Sequence, residues 1–274
     1  MSRAARPGTP WADPRGARYA LHAEWTKTRT AGGTVWLLLA VIAATVAVGA
    51  AVATATRCPA AGCGQDPAKV SLSGIDLGQA VVAILAVLAI SGEYGTGMIR
   101  VTLTAMPRRT TVLAAKAAVL TGLVLVAGTV AVLGSVLAGR LILPGNGFTP
   151  VHGYLLLSLA NGPYLRAAAG SVLYLSLIGL LGLGIATAIR DSAAATGVVL
   201  GLLYLFPVVA AAVSSQQWQR HLEQISPMSA GLAIQATAGL RGMPISPWAG
   251  LGVLAAWATG ALLLGGLLFR LRDA

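Results

Sequence analysis

Long apolar runs separated by shorter polar stretches dominate the pattern of this chain. A helix crossing a hydrocarbon core of about 30 Å needs roughly 20 consecutive apolar residues. Six such runs can be marked, over residues 33–55, 75–92, 117–139, 167–189, 193–213 and 248–269. The second is the shortest: its almost wholly apolar part runs from Asp76 to Ile90, and it reaches spanning length by borrowing from Leu72 and Ser73 before it and from Ser91 and Gly92 after it. Inside a bilayer the backbone must satisfy its own hydrogen bonds, which leaves helices and closed barrels. Barrel strands alternate apolar and polar positions, whereas these runs are continuous. The pattern therefore predicts an all-α integral membrane protein with six transmembrane helices.

The stretches between the runs carry their own signals. Residues 1–14 are polar and hold Pro and Gly, a composition that favours a disordered tail; residues 15–274 form one domain. From Arg15 to Thr30, Ala17, Leu21, Trp25 and Thr28 share one helical face and Arg15, Arg18, His22 and Arg29 another. That spacing predicts an N-terminal helix lying in the membrane interface. Residues 91–116, SGEYGTGMIRVTLTAMPRRTTVLAAK, form a charged and partly amphipathic insert between the second and third spans. Met98, Thr102, Ala105 and Met106 fall on one helical face there, Pro107 stops that short helix, and Thr110 can cap the next span. Between the fifth and sixth spans, Trp218, Leu222 and Ile225 mark one short amphipathic helix, and a weakly apolar stretch, Ala230 to Leu240, follows Pro227. Neither piece is long enough to span, so both are predicted to be interfacial or re-entrant.

Composition agrees. Hydrophobic residues make up 56% of the 274 and charged residues 10%, against roughly a quarter charged in soluble domains. The net charge of +11 would suggest nucleic acid only if the basic residues gathered on one exposed face. Instead they sort by topology. With the N-terminus inside, thirteen of the nineteen Lys and Arg fall on the cytoplasmic side, including Arg100, Arg108, Arg109 and Lys116 of the insert. Loops that stay inside carry such an excess. The charge thus predicts a plasma (inner) membrane protein with both termini cytoplasmic, in contact with anionic lipid and not with nucleic acid.

Candidate chemistry is sparse. Cys58 and Cys63, the two cysteines, lie in a Gly- and Pro-rich loop with four residues between them; on the outer side they could form a disulfide or remain two thiols. The lysines are Lys27, Lys69 and Lys116, none in the Gly-Lys-Ser/Thr setting of a phosphate-binding loop, and no HExxH or GxSxG motif occurs. The chain is accordingly not expected to be an enzyme or to bind a cofactor or metal. Ionisable residues at span interiors, which mark ion pathways, are missing from the predicted spans, an argument against self-powered transport.

Three pieces together resemble the permease subunit of type-2 ABC transporters in its single-domain bacterial form. Glu24, Trp25, Lys27 and Arg29 match that family's segment before the first span; Glu93, Tyr94, Gly97, Arg100, Leu103, Pro107, Arg109 and Lys116 match its loop after the second; and the six-span layout with a long outer segment before the last completes the likeness. The resemblance implies an interfacial elbow helix, a cytoplasmic coupling helix between spans 2 and 3 that docks on a separate ABC ATPase, and re-entrant outer helices between spans 5 and 6. It also implies a second permease copy, as a homo- or heterodimer enclosing the substrate path, with ATP and Mg held by the partner subunit. Export by rocking of the span bundles follows as the expected function, with Glu93 and Arg100 transmitting the movement or anchoring the loop at the interface. The pair Cys58 and Cys63 departs from the family pattern. A non-transporting membrane scaffold or assembly protein is the alternative.

Overall fold

The computed structural model describes residues 14–30, 32–58, 64–98, 102, 104, 109–149 and 157–271. The tail before residue 14, Cys63, and Arg100, Leu103 and Pro107 of the insert lie outside the described residues. The ten helices named here are α1 (Pro14–Thr30), α2 (Gly32–Ala55), α3 (Pro67–Leu72), α4 (Ile75–Gly95), α5 (Arg109–Ile142), α6 (Gly162–Ile189), α7 (Ser192–Ala212), α8 (Gln216–Ile225), α9 (Pro227–Leu232) and α10 (Pro247–Leu271). No strand occurs among the described residues. Six segments are long and apolar enough to cross a membrane: α2, α3 with α4, α5 with the turn that follows it, α6, α7 and α10. This is the architecture of a multi-pass helical membrane protein.

Three spans start earlier than the sequence pattern marks, and in two of them a charge explains why. The third span is predicted from residue 117 but its helix begins at Arg109, with Thr110 already inside it and Lys116 buried. The fourth is predicted from residue 167 but begins at Gly162, and Arg166 sits within it. A charged residue reads as a span end because an unpaired charge in the apolar core is costly. Here each cation has local partners, so the helix runs on past it. The second span also gains α3, whose Asp66-Pro67 start is an N-cap followed by proline at the first helical position.

α6 lies at the centre, packed against α4, α5 and α10. Close helix approach in lipid requires small residues at the crossing, and at the α6–α10 crossing these are Gly184 and Gly265. A Cβ on Gly184 would sit 2.5 Å from the Ala261 carbonyl carbon, and one on Gly265 would strike the Gly184 carbonyl oxygen. The break between α3 and α4 falls where α2 passes: a Cβ on Gly74 would overlap the Thr45 carbonyl.

The end of the bundle remote from α1 is held by polar clasps. Asn146, after α5, donates from Nδ2 to the Ala53 carbonyl at 2.7 Å, and Cys58 N donates to the Asn146 carbonyl at 2.8 Å. Cys58 is disulfide-bonded, and the other cysteine, Cys63, lies outside the described residues. The segment from Pro227 to Ala236 wedges between α6 and α10, with Ile234 against Gly170 and Ala230 against Gly250. Arg166 fixes its end by donating to the Ala236 carbonyl at 2.5 Å. Asp66 fixes it again: its carboxylate caps α3 through Ala68 N at 3.0 Å and accepts from Thr237 Oγ1 at 2.6 Å, Ala238 N at 2.9 Å and Thr237 N. Asp66→Ala removes both a helix cap and this clasp. It is expected to cost about 2 kcal/mol, the upper end for a lost cap, seen as a lowered unfolding midpoint of the detergent-solubilised chain. Asp66→Asn keeps two acceptor lone pairs and should lose less.

Candidate functional site

At the α1 end, four charged side chains from three helices meet. Glu24 and Lys27 are three residues apart on α1, so they share a helical face, and that face, with Ala20, turns inward: Ala20 and Glu24 are buried. The adjacent, more apolar face of α1, with Leu21 and Trp25, is exposed, as is the opposite side with Arg18, His22 and Arg29. Of the apolar stripe that the sequence spacing picks out, Leu21 and Trp25 therefore face away from the bundle while Thr28 is half-buried, and charge draws in the neighbouring face with Glu24.

The attracting group is Lys116, about two turns into α5. Its ammonium donates to Glu24 Oε2 at 2.7 Å, Glu93 Oε1 at 3.0 Å and the Ala89 carbonyl at 2.9 Å. Lys27 Nζ donates to Glu24 Oε1 at 3.1 Å, Glu93 Oε1 at 3.1 Å and Thr102 Oγ1 at 2.9 Å. An ammonium has three N–H donors, so the bonds of both lysines are complete. The four charges sum to zero, which a buried group of ions requires if it is not to carry a large desolvation cost. Burial works to lower the Lys27 pKa, but the Glu24 and Glu93 carboxylates outweigh it and leave the ammonium held above its ordinary value. One acceptor remains over: Glu93 Oε2 is buried without a hydrogen-bond partner among the described residues.

The insert is tied to this cluster at Thr102. Met98, Thr102 and Thr104 are helical, and Thr102 Oγ1 also donates to the Met98 carbonyl one turn back at 3.1 Å. Gly97 adopts φ 71° after the end of α4, a left-handed conformation that glycine takes at little cost, and there the chain changes direction. Beside the cluster, the Arg190 guanidinium lies 5.3 Å over the Tyr94 ring. Arg109 donates to the Phe269 carbonyl at 2.8 Å and lies 5.9 Å over its ring, a cation at the carbonyl end of α10 where the helix dipole favours it.

Glu24, Lys27 and Glu93 are thus brought together with Lys116, while Trp25 and Arg29 face outward and Tyr94 and Arg109 join neighbouring helices. Arg100, Leu103 and Pro107 lie outside the described residues. Thr102 is the member that chemistry-based reading of the sequence passed over, since a threonine at helical spacing carries no signal of its own. Among the described residues no three His, Cys, Asp or Glu side chains converge on a possible metal position. No protein-family model matches the chain, and no curated protein matches it.

Proposed function

We propose that the chain is the membrane-spanning permease subunit of an exporter powered by a separate ABC ATPase. The observation that carries this reading is the ionic cluster of Glu24, Lys27, Glu93 and Lys116 with Thr102 on its edge. A segment meant to receive force from outside must be connected stiffly to the helices it moves. Thr102 in the insert is bonded to Lys27 on α1, and through it to the end of α4 and the start of α5. A push on residues 96–108 would then reach three helices as one body, the rigid-element movement that alternating access needs. In this reading α1 is a cytoplasmic interfacial helix, α8 to Ala236 is an outer re-entrant segment, a second copy completes the path, and both termini face the cytoplasm of a bacterial inner membrane.

The test is co-purification in mild detergent. The native chain is expected to bring down an ATPase, and a variant with Arg100→Ala and Arg108→Ala is expected to lose most of it while inserting normally. Glu93 and Arg109 are left unchanged because each holds contacts inside the bundle. Absence of any ATPase from the native preparation would overturn the transporter reading in favour of a membrane scaffold.

A further inference from the structure

Against the ionic cluster lies a cavity of about 470 Å³ between α1, α2, α4 and α5, within the range of about 300–1,000 Å³ that small-molecule sites occupy. Its walls are graded. Glu24, Lys27, Glu93 and Lys116 line one end, and Leu37, Leu85, Leu88, Val119, Leu120 and Leu123 line the rest. From Glu93 to Leu85 the cavity follows α4 for eight residues, roughly 12 Å at about 1.5 Å per residue. A polar head and an apolar tail laid in that order would match it.

The hydrogen-bond inventory says which head. Both ammonium groups have their three donors engaged and the four charges cancel, so an anion entering among them would leave the cluster with a net negative charge. The unmet capacity is an acceptor, Glu93 Oε2, on a residue only 9% exposed. A buried carboxylate oxygen without a partner is costly, and a donor bearing positive charge relieves it best. Glu93 Oε2 is itself closed to a water-sized probe, so a ligand reaches it by displacing Lys27, whose side chain is 28% exposed, and its positive charge then takes the place of that ammonium beside Glu24 and Glu93.

We propose that this cavity binds an amphiphile carrying a protonated primary amine, its ammonium hydrogen-bonded to Glu93 and its alkyl chain lying along α4 and α5. The site stands independently of the ATPase partnership. It is read on the chain alone, so either reading can fail without the other.

The experiment measures binding of n-dodecylamine to the purified full chain by native mass spectrometry, beside dodecyltrimethylammonium, dodecanol and dodecyl phosphate. The trimethylammonium head keeps the charge but has no N–H to donate, and the alcohol keeps a donor without the charge. Dodecylamine is expected to bind at least about tenfold more tightly than each of the others, the scale of a charge-assisted hydrogen bond. Gly92→Phe places a ring in the cavity from a position where an added Cβ meets nothing within 4 Å, and Leu88→Trp narrows it from a side chain that is already 43% exposed. Either variant, folded with an unchanged unfolding midpoint, is expected to lose dodecylamine binding at least tenfold. Equal binding of all four amphiphiles, preference for dodecyl phosphate, or unchanged binding in a folded cavity-filling variant would overturn the proposal.

Discussion

Replacing Lys116 with methionine is expected to cost about 3–5 kcal/mol, the penalty for removing one partner of a buried ion pair. That is a large part of the roughly 5–15 kcal/mol by which domains are stable. Methionine keeps much of the length and the apolar stem, so the loss is electrostatic. Glu24 is 1% exposed and would lose its shortest ion-pair contact, 2.7 Å, keeping only Lys27. Glu93 would keep a single bond, also from Lys27, and the Ala89 carbonyl would lose its side-chain donor. The measurement is the thermal midpoint and the monodisperse fraction in detergent. Most of the variant should aggregate under conditions where the native chain does not. Adding Glu24→Gln removes the carboxylate that has been stranded, so the double variant should recover a large share of the loss. That non-additivity identifies coupling and not general damage. Arg29→Ala on the same helix α1 removes an exposed cation and should stay within about 0.5 kcal/mol. A Lys116→Met chain with a native midpoint would mean that the cluster does not hold α1 to the bundle.

That cluster marks where sequence reasoning stops. The six spans were legible because a hydrocarbon core imposes one requirement, apolarity over a fixed length, and each span displays it locally. α1 and the amphipathic α8 were legible for the same reason, since helical periodicity is a local signal. Glu24, Lys27 and Glu93 could each be singled out within short segments. That they meet could not, because Glu24 and Lys116 are 92 positions apart and Lys27 and Glu93 are 66 apart, and no periodicity spans such a distance. The extension of the third helix beyond its apolar run has the same source: Lys116 looks like the edge of that run until its two carboxylates are known. Asp66 divides in the same way. Its capping of α3 is written in the Asp-Pro dipeptide, although the segment reads as a plain loop by composition, while its clasp on Thr237 and Ala238, 171 and 172 positions away, leaves no local trace.

Two opposing effects meet at glycine, and the α6–α10 crossing decides between them. Gly→Ala within a helix gains about 1 kcal/mol from backbone propensity alone, so Gly197→Ala on α7, where an added Cβ meets nothing within 4 Å, is expected to raise stability by up to that amount. The same change at Gly184 is expected to lower it by about 1–3 kcal/mol, as overpacking does. Its Cβ would come within 2.5 Å of the Ala261 carbonyl carbon and 2.6 Å of Leu262 N. These are backbone atoms, which no rotamer change can move aside. α10 would have to draw back, and the loss spreads along the crossing because dispersion contacts weaken steeply with small gaps. The displacement has a second reach. The Phe269 carbonyl at the far end of α10 accepts from Arg109 at the start of α5, so a retreating α10 also pulls on the start of α5. Thermal unfolding of the two variants side by side should therefore give shifts of opposite sign. Should Gly184→Ala instead match Gly197→Ala, α6 and α10 are not in backbone contact, and the bundle is looser at its centre than this crossing requires.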